Sequence, residues 1–497
     1  MKRYWFLSAF GCVVLAFAAV WLGGLNQDEG WYLYAAQMVA DGKIPYRDFF
    51  YTQAPVMPIV YSAFAAVWNA FGLLGARVLT MAIGLLGILF SVALVRRFVP
   101  AEKRTAAEIA VFLLLGSNLY HLYYLAIPKT YALASLFVAM GFYLLSIALS
   151  GRRGLAASAG LSLAFAAGTR ISLGILLAVV GFWLLFDFRK YRWSFLWFGL
   201  GGALGLAVVY GYFLFDPGTR DGLIAAQAYH AARGGFDPVF TVGSVSRLAR
   251  WYLPVFIVLG LGGFKSARIL LYAFLAVFAV QMLAPFPYED YQVPVMSLLA
   301  VFAVANLFSD SNTQTPENPN TQTPKHPNTR NSRTLLLVLG LCFASSFGSP
   351  LLERWMTDGQ DRFWTVKKEK CELAQLREVA RAIEEEDPNG KELLTQDLYL
   401  AIETGRRVPE GLEMGPFSML TDEQWRELLA SAPCEMAALS GYSFAVNPPV
   451  CDEIPIETQI DYWSILKKNY DLVGSEERFG QNATSLLILK RKPQDNP

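Results

Sequence analysis

The feature that most restricts this chain is a series of apolar runs, long enough to cross a membrane, that fills its first two-thirds. About 20 apolar residues in a helix span a bilayer core, and runs such as Tyr4–Leu25, Ala106–Ile127 and Ser194–Phe215 reach that length. Composition agrees. Of the 497 residues 54% are hydrophobic and only 17% charged, against about 25% charged in soluble domains. With 42 Lys+Arg against 41 Asp+Glu, the chain lacks the basic excess that a nucleic-acid partner requires. Five cysteines with no CxxC pair exclude a zinc ribbon, and three histidines are too few for a His-rich metal centre. The chain reads as an α-helical polytopic membrane protein.

Basic loops then order the spans. The first run follows Lys2 and Arg3. Ala16-Phe17-Ala18 has the small-residue pattern of a signal cleavage site, but the run continues through Val20, Trp21 and Leu22, so it is read as an uncleaved span. Further candidate spans are Arg77–Val95, Ala106–Ile127, Thr130–Leu149, Gly154–Thr169, Ile171–Phe186, Ser194–Phe215, Trp251–Phe264, Ile269–Phe286, Tyr291–Phe308 and Thr334–Pro350. Basic residues mark cytoplasmic loops, and they gather at Arg96–Arg104, Arg152–Arg153, Arg189–Arg192, Lys265–Arg268 and Lys325–Arg333. This alternation predicts about eleven spans, an amino terminus inside and everything after Pro350 outside. Pro55–Phe71 is apolar enough to cross, but crossing would carry Arg96–Arg104 outside. Residues 26–76 are therefore read as one large external loop with interfacial helices.

The chain divides accordingly. Residues 1–308 form the transmembrane module. Residues 309–333 form a cytoplasmic linker whose near-copies Asn-Thr-Gln-Thr-Pro-Glu-Asn-Pro and Asn-Thr-Gln-Thr-Pro-Lys-His-Pro cannot bury a core, so disorder and dispensability are expected. Residues 334–350 form the last span, and 351–497 a small external soluble α/β domain. In that domain Leu373, Leu376, Val379 and Ile383 share one helical face. Thr421 to Gln424 forms a capping box, and Ser485–Lys490 reads as a strand. Cys371, Cys434 and Cys451 allow one disulfide whose pairing is open, while Cys12 and Cys342 lie in apolar runs as filler.

Chemistry is expected in the first external loop. Asp28 and Glu29 follow the first span directly, where carboxylates near hydrocarbon lose hydration. One reading makes Asp28 a helix cap with Glu29 in the first turn, favoured by the helix dipole. The other makes the pair catalytic, and the two are compatible, since a rigidly held carboxylate suits general base work.

The order Asp28-Glu29-Gly30-Trp31-Tyr32, Ala35-Ala36, Gly42, Pro45-Tyr46, Asp48-Phe49 and Pro55 resembles the first luminal loop of type C glycosyltransferases. Phe71-Gly72, Arg77 and Gly160…Ala167-Gly168-Thr169-Arg170 continue the resemblance, which covers about residues 1–310. Protein O-mannosyltransferases and lipid A aminoarabinose transferases are the kin it points to. The resemblance implies a plasma-membrane enzyme that takes a sugar from a polyprenyl-phosphate donor and passes it to a lipid, glycan or protein acceptor at the external face, with inversion. It implies that Asp28 matches the key acidic residue, with Glu29 its neighbour. The lipid phosphate then needs cations at membrane depth, and Lys129, Arg170, Arg77 and Arg47 are the candidates, with Lys43 as a further externally facing cation. Lys129 sits in the tight turn Ile127-Pro128-Lys129-Thr130-Tyr131, and Arg170 interrupts an apolar stretch where an unpaired charge is costly.

There are departures. Tyr51-Thr52-Gln53-Ala54-Pro55 lacks the basic residue that precedes this proline in lipid A transferases, which disfavours lipid A as acceptor. Tyr229-His230-Ala231-Ala232-Arg233 only partly matches a family His-x-x-Arg segment, so His230 and Arg233 are weak acceptor candidates. Pro287-Tyr288-Glu289-Asp290-Tyr291 is acidic where kin carry lysine. Glu289 and Asp290 would hold a divalent metal, bind an acceptor, or mark a solvated loop, the last being the simplest reading. A lipid-linked glycan flippase is the main alternative function, and a non-catalytic envelope anchor the next. Transporters place ionisable residues at midplane, whereas the charges here are expected at one external face.

Overall fold

The computed structural model describes residues 2–309, 370–440 and 456–493, apart from positions 233, 234, 265, 285, 419, 482 and 483, together with 338, 340 and 341. The linker 309–333 from residue 310 onward, the span 334–350 but for those three positions, Cys342 and Cys451 lie outside the described residues.

The apolar runs fold into helices in chain order: α1 (Lys2–Leu22), α2 (Gln27–Ala40), α3 (Val56–Ser62), α4 (Ala65–Val95), α5 (Arg104–Gly116), α6 (Leu119–Ala126), α7 (Thr130–Leu149) and α8 (Leu155–Thr169). Then come α9 (Ile175–Phe186), α10 (Phe188–Phe215), α11 (Pro217–Ala232), α12 (Pro238–Trp251), α13 (Leu253–Gly262), α14 (Arg268–Met282) and α15 (Val293–Leu307). Among the described residues, five helical segments are long and apolar enough to cross a membrane: α1, α4, α7, α10 and Glu289–Leu307. Two further candidates are bent pairs, and shorter apolar helices cover 155–169, 171–186 and 268–282.

The breaks correct two of the expected straight spans, and each has a cause. Ala106–Ile127 bends by 71° between α5 and α6. There Asn118 caps α6, accepting from His121 N–H at 3.0 Å, and its amide donates to the Trp251 carbonyl at 3.0 Å. The segment Trp251–Phe264 is only the second arm of a pair bent by 77°, with Pro254 in the first turn of α13 where a proline is tolerated. The span expected from Arg77 belongs to a helix that already begins at Ala65 and is kinked at Gly72, whose φ of 62° a side chain would strain.

The C-terminal part comprises α16 (Glu372–Glu386), α17 (Leu398–Thr404), α18 (Asp422–Ser431) and α19 (Ile456–Asn469), with a four-stranded sheet. Its strands are β1 (Leu393–Leu394), β2 (Met436–Ser440), β3 (Tyr470–Phe479) and β4 (Thr484–Arg491), in the order β1-β2-β4-β3. β1 runs parallel to β2, pairing Leu393 with Met436, and the other neighbours are antiparallel. Helix α16 buries Leu373, Leu376, Val379 and Ile383 as its spacing dictates, and Thr421 closes the capping box of α18. Cys371 and Cys434 are free thiols, so these two are not the disulfide pair.

Two apolar clusters hold the molecule. One is built by the bundle helices. In the other, Trp31, Tyr32, Tyr51 and Tyr61 of the first loop share a core with Leu373, Leu398, Tyr399 and Leu439 of the C-terminal part. The loop is thus not a free flap on the bundle but one wall of a common core.

Candidate functional site

Helix α2 begins with a capping box in which Asn26, not Asp28, is the cap. The Asn26 side chain accepts from Asp28 N–H at 3.1 Å, and Glu29 Oε1 accepts from Asn26 N–H at 2.9 Å. The two adjacent carboxylates then part company, because successive helix positions point about 100° apart.

Glu29 turns inward, onto Arg77 of α4. Arg77 and Glu29 side chains are both fully buried. The Arg77 Nε and Nη2 atoms donate to Glu29 Oε2 and Oε1 at 2.9 and 2.6 Å. Its remaining N–H groups reach the carbonyls of Val20, Gly23 and Gly24 at 2.9–3.0 Å. A guanidinium has five N–H donors, and all five are committed here. The expectation of a phosphate-binding Arg77 and a catalytic Glu29 gives way to this: the pair is sealed from any ligand and ties the end of α1, the start of α2 and α4 into one corner.

Asp28 faces the other way. Its Oδ1 accepts from Trp31 Nε1 at 3.1 Å and its Oδ2 meets Lys129 Nζ at 2.7 Å. The Asp28 side chain keeps 30% of its surface exposed, the Lys129 side chain 6%. Lys129 precedes α7 and also reaches Asp290 Oδ2 at 3.3 Å, while Tyr131 Oη donates to the same oxygen at 2.7 Å. One ammonium thus bridges two carboxylates from distant parts of the chain. Burial pushes the Asp28 carboxyl up, but the Lys129 ammonium, in contact with it, holds it below the ordinary carboxylate range. Burial likewise pushes Lys129 down, and the Asp28 and Asp290 carboxylates overcome that and hold it well above the usual lysine range.

Arg170 follows α8 beside this group. Its ring contacts are Tyr131 at 4.8 Å and Tyr291 at 4.5 Å, a sandwich of the kind that stabilises a cation by the ring faces. Its Nη1 donates to Thr130 Oγ1 at 3.0 Å, and its buried Nε has no partner. Among the described residues no carboxylate pairs with it. A buried arginine without an anion is costly, and this one contrasts with Arg77, whose partner is a buried carboxylate.

The other sequence candidates fall elsewhere. Arg47 is half-exposed and pairs with its neighbour Asp48 at 2.9 Å, and Lys43 is exposed. Glu289 and Asp290 are not a solvated loop: Asp290 belongs to the Lys129 group, and Glu289 pairs with Arg247 at 3.0 Å. As a metal site Glu289 and Asp290 fit poorly, since each carboxylate already has a cationic partner, Arg247 and Lys129 respectively. Among the described residues no three His, Cys, Asp or Glu side chains gather as a ligand set. Arg233 and the His230 side chain lie outside the described residues. The residues that sequence reasoning missed are Tyr131 and Tyr291. Both stand within the short motifs around Lys129 and Asp290, but nothing local marks an aromatic as the wall of a cation site.

No protein-family model matches the chain, and no curated protein sequence does either. Solved structures do. ArnT from Cupriavidus metallidurans in the apo state aligns with a TM-score of 0.62 at 14% identity, over 99% of both chains. The same protein bound to undecaprenyl phosphate gives 0.60 at 13% identity, over 99% of this chain and 98% of that one. The Archaeoglobus fulgidus oligosaccharyltransferase tethered with an acceptor peptide gives 0.51 at 10% identity, over all of this chain and 75% of the other. The chain has the fold of the type C glycosyltransferases.

Two outcomes are expected. Arg77→Met leaves a buried carboxylate unpaired and should cost about 3–5 kcal/mol. The double variant Arg77→Met/Glu29→Leu should recover most of that, as read by denaturation in detergent. Second, the wild-type Asp28–Lys129 contact stabilises fully above the unfolded Asp value near pH 4 and is lost only as pH falls through the depressed folded value. Lys129→Met reverses the sign: Asp28 then faces burial without the ammonium and protonates more readily. The variant's melting temperature should rise relative to wild type as pH falls from 8 to 5. A constant difference between the two would contradict the bridge.

Proposed function

We propose that this chain transfers a sugar from a polyprenyl-phosphate donor to an acceptor hydroxyl at the external face of the plasma membrane, with Asp28 as base. The observation that carries the reading is Arg170, a buried guanidinium with uncommitted donors, set within reach of a two-carboxylate, one-ammonium group. A phosphate leaving group needs positive charge close to hydrocarbon and no proton, and Arg170 with Lys129 supplies it. An acceptor hydroxyl needs a base, because its own proton is held far above neutral pH. Asp28 is that base, partly exposed and oriented by Trp31. The structures that share this fold include ArnT bound to undecaprenyl phosphate, which supports a lipid-phosphate ligand for this chain.

The same contacts suggest how the base is timed. In the ground state Lys129 keeps Asp28 ionised but weakly basic. When the donor phosphate draws the ammonium to itself, burial pushes the Asp28 carboxyl up and its affinity for the acceptor proton rises. The acceptor oxygen then bonds to the anomeric carbon, the carbon–oxygen bond to the lipid phosphate breaks, the electron pair leaves with the phosphate, and Asp28 takes the proton. Attack opposite the leaving group inverts the anomeric centre. Asp290 anchors Lys129 from its other side and is not asked to touch the acceptor.

A flippase is the competing reading. It is disfavoured because the ionisable side chains of the site come together on the loop and turns at one end of α7 and α8, rather than half-way along them. A donor assay separates the two. Membranes carrying the wild type should transfer label from one member of a panel of polyprenyl-phosphate sugars, mannose, galactose and aminoarabinose among them. Asp28→Asn, which keeps the shape of the side chain, should lower transfer by a factor of about 100 or more while donor still binds. Undiminished transfer by the variant would remove Asp28 from the chemistry.

A further inference from the structure

The C-terminal part touches the first loop at several places, and among the described residues none of its hydrogen bonds or ion pairs to that loop falls on Asp28. Counting about 100° per residue along α2, Gln27, Gly30, Tyr34 and the C-cap Asp41 lie on one face, and Asp28 points about 130° round the helix from its middle. Gln27 N–H donates to Gln481 Oε1 at 2.7 Å, and its amide reaches Asp397 Oδ1 at 3.3 Å. Gly30 packs so closely on the backbone at Leu398–Tyr399 that a methyl group there would collide with it. Tyr34 Oη accepts from Val408 N–H at 2.9 Å, and Asp41 pairs with Arg407 at 3.1 Å.

Two glutamates close the ends of the same segment. Glu372, at the start of α16, accepts from Leu25 N–H at 2.5 Å, just before α2 begins. Glu403, in α17, accepts from Leu73 N–H at 2.7 Å through Oε2, while Arg377 holds its Oε1 at 3.2 Å. Leu73 follows the Gly72 kink, where the absence of a side chain lets the Glu403 carboxylate lie against the backbone. One helical turn further along α4 stands Arg77, which holds Glu29 and so fixes the turn that bears Asp28.

We infer that the C-terminal domain is a positioning element, in which Glu372 and Glu403 clamp residues 25–73 and keep the Asp28 face of α2 turned to Lys129. These two residues touch neither donor nor acceptor. They act through α2, and the inference rests on the reading of Asp28 as base. A catalytic group displaced by about 1 Å loses up to about 100-fold in rate, so a domain that sets this register governs turnover without entering the site.

The test uses the full-length chain in nanodiscs, with hydrogen exchange read by mass spectrometry alongside transfer kinetics. Glu403→Ala removes the clamp, Glu403→Gln keeps an acceptor oxygen for Leu73 N–H, and Gly30→Ala wedges α2 off α17 without altering charge. Glu403→Ala and Gly30→Ala should speed exchange over residues 25–40 and lower kcat by about 10-fold or more, with the donor KM within about two-fold of wild type. Glu403→Gln should restore most of both. A general loss of stability would not divide kcat from KM in this way. Unchanged exchange over 25–40, or faster exchange with kcat intact, overturns the inference. Should Glu403→Ala not accumulate, Gly30→Ala decides by the same criteria. If the wild type transfers no sugar from any donor, the functional reading fails instead, and the clamp stands or falls on exchange over 25–40 alone.

Discussion

Everything at the candidate site hangs on the buried ion pair between Arg77 and Glu29. A charge pair inside a protein is stabilising only when its hydrogen-bonding capacity is filled, and here all five guanidinium donors have acceptors. The three carbonyls it satisfies, at Val20, Gly23 and Gly24, lie in the last turn of α1 and just beyond it, where carbonyls would otherwise lack partners. The pair therefore seals the end of one helix, the capping box of the next and the wall formed by α4. With Glu29 locked inward, the helical repeat leaves Asp28 facing Lys129. Under the proposed function, the outward carboxylate is free to act as base because its neighbour is structural.

The two buried arginines illustrate how similar sequence signals diverge. Arg77 and Arg170 both sit in apolar surroundings and both read as phosphate ligands from the sequence. The difference lies in partners far away in the chain. Glu29 supplies Arg77 with an anion, whereas Arg170 receives two aromatic faces and one hydroxyl. Aromatic faces screen a cation from hydrocarbon but do not neutralise it, and they leave its donors available. A ligand with negative charge would complete such a site, and under the proposed function that ligand is the lipid phosphate.

Much of the architecture was legible because apolar length and basic loops are strong, local signals. The spans expected at 77–95, 130–149, 194–215 and 291–308 each lie in a helix of the structure, and the helical face Leu373–Ile383 and the Thr421 box are where their spacing puts them. What the sequence obscured was non-local. The break at Asn118 depends on a carbonyl 133 residues away at Trp251. Asp290 looked like a solvated loop because its partners, Lys129 and Tyr131, are some 160 residues earlier. Asp28 was legible as a candidate but not as distinct from Glu29, since only the tertiary position of Arg77 separates them. The role of the C-terminal domain was invisible for the same reason, its grip being made of side chains reaching backbone amides at Leu25 and Leu73.

If Arg170 and Lys129 form a seat for a lipid-linked phosphate, binding reveals it without any need to know the sugar. Native mass spectrometry of the full chain released from nanodiscs, titrated with undecaprenyl phosphate, measures it directly. The wild type should bind saturably, about 10-fold or more tighter than Arg170→Gln, and Arg47→Gln, at the half-exposed Arg47–Asp48 pair, should bind as the wild type does. Equal binding by wild type and Arg170→Gln would contradict that seat.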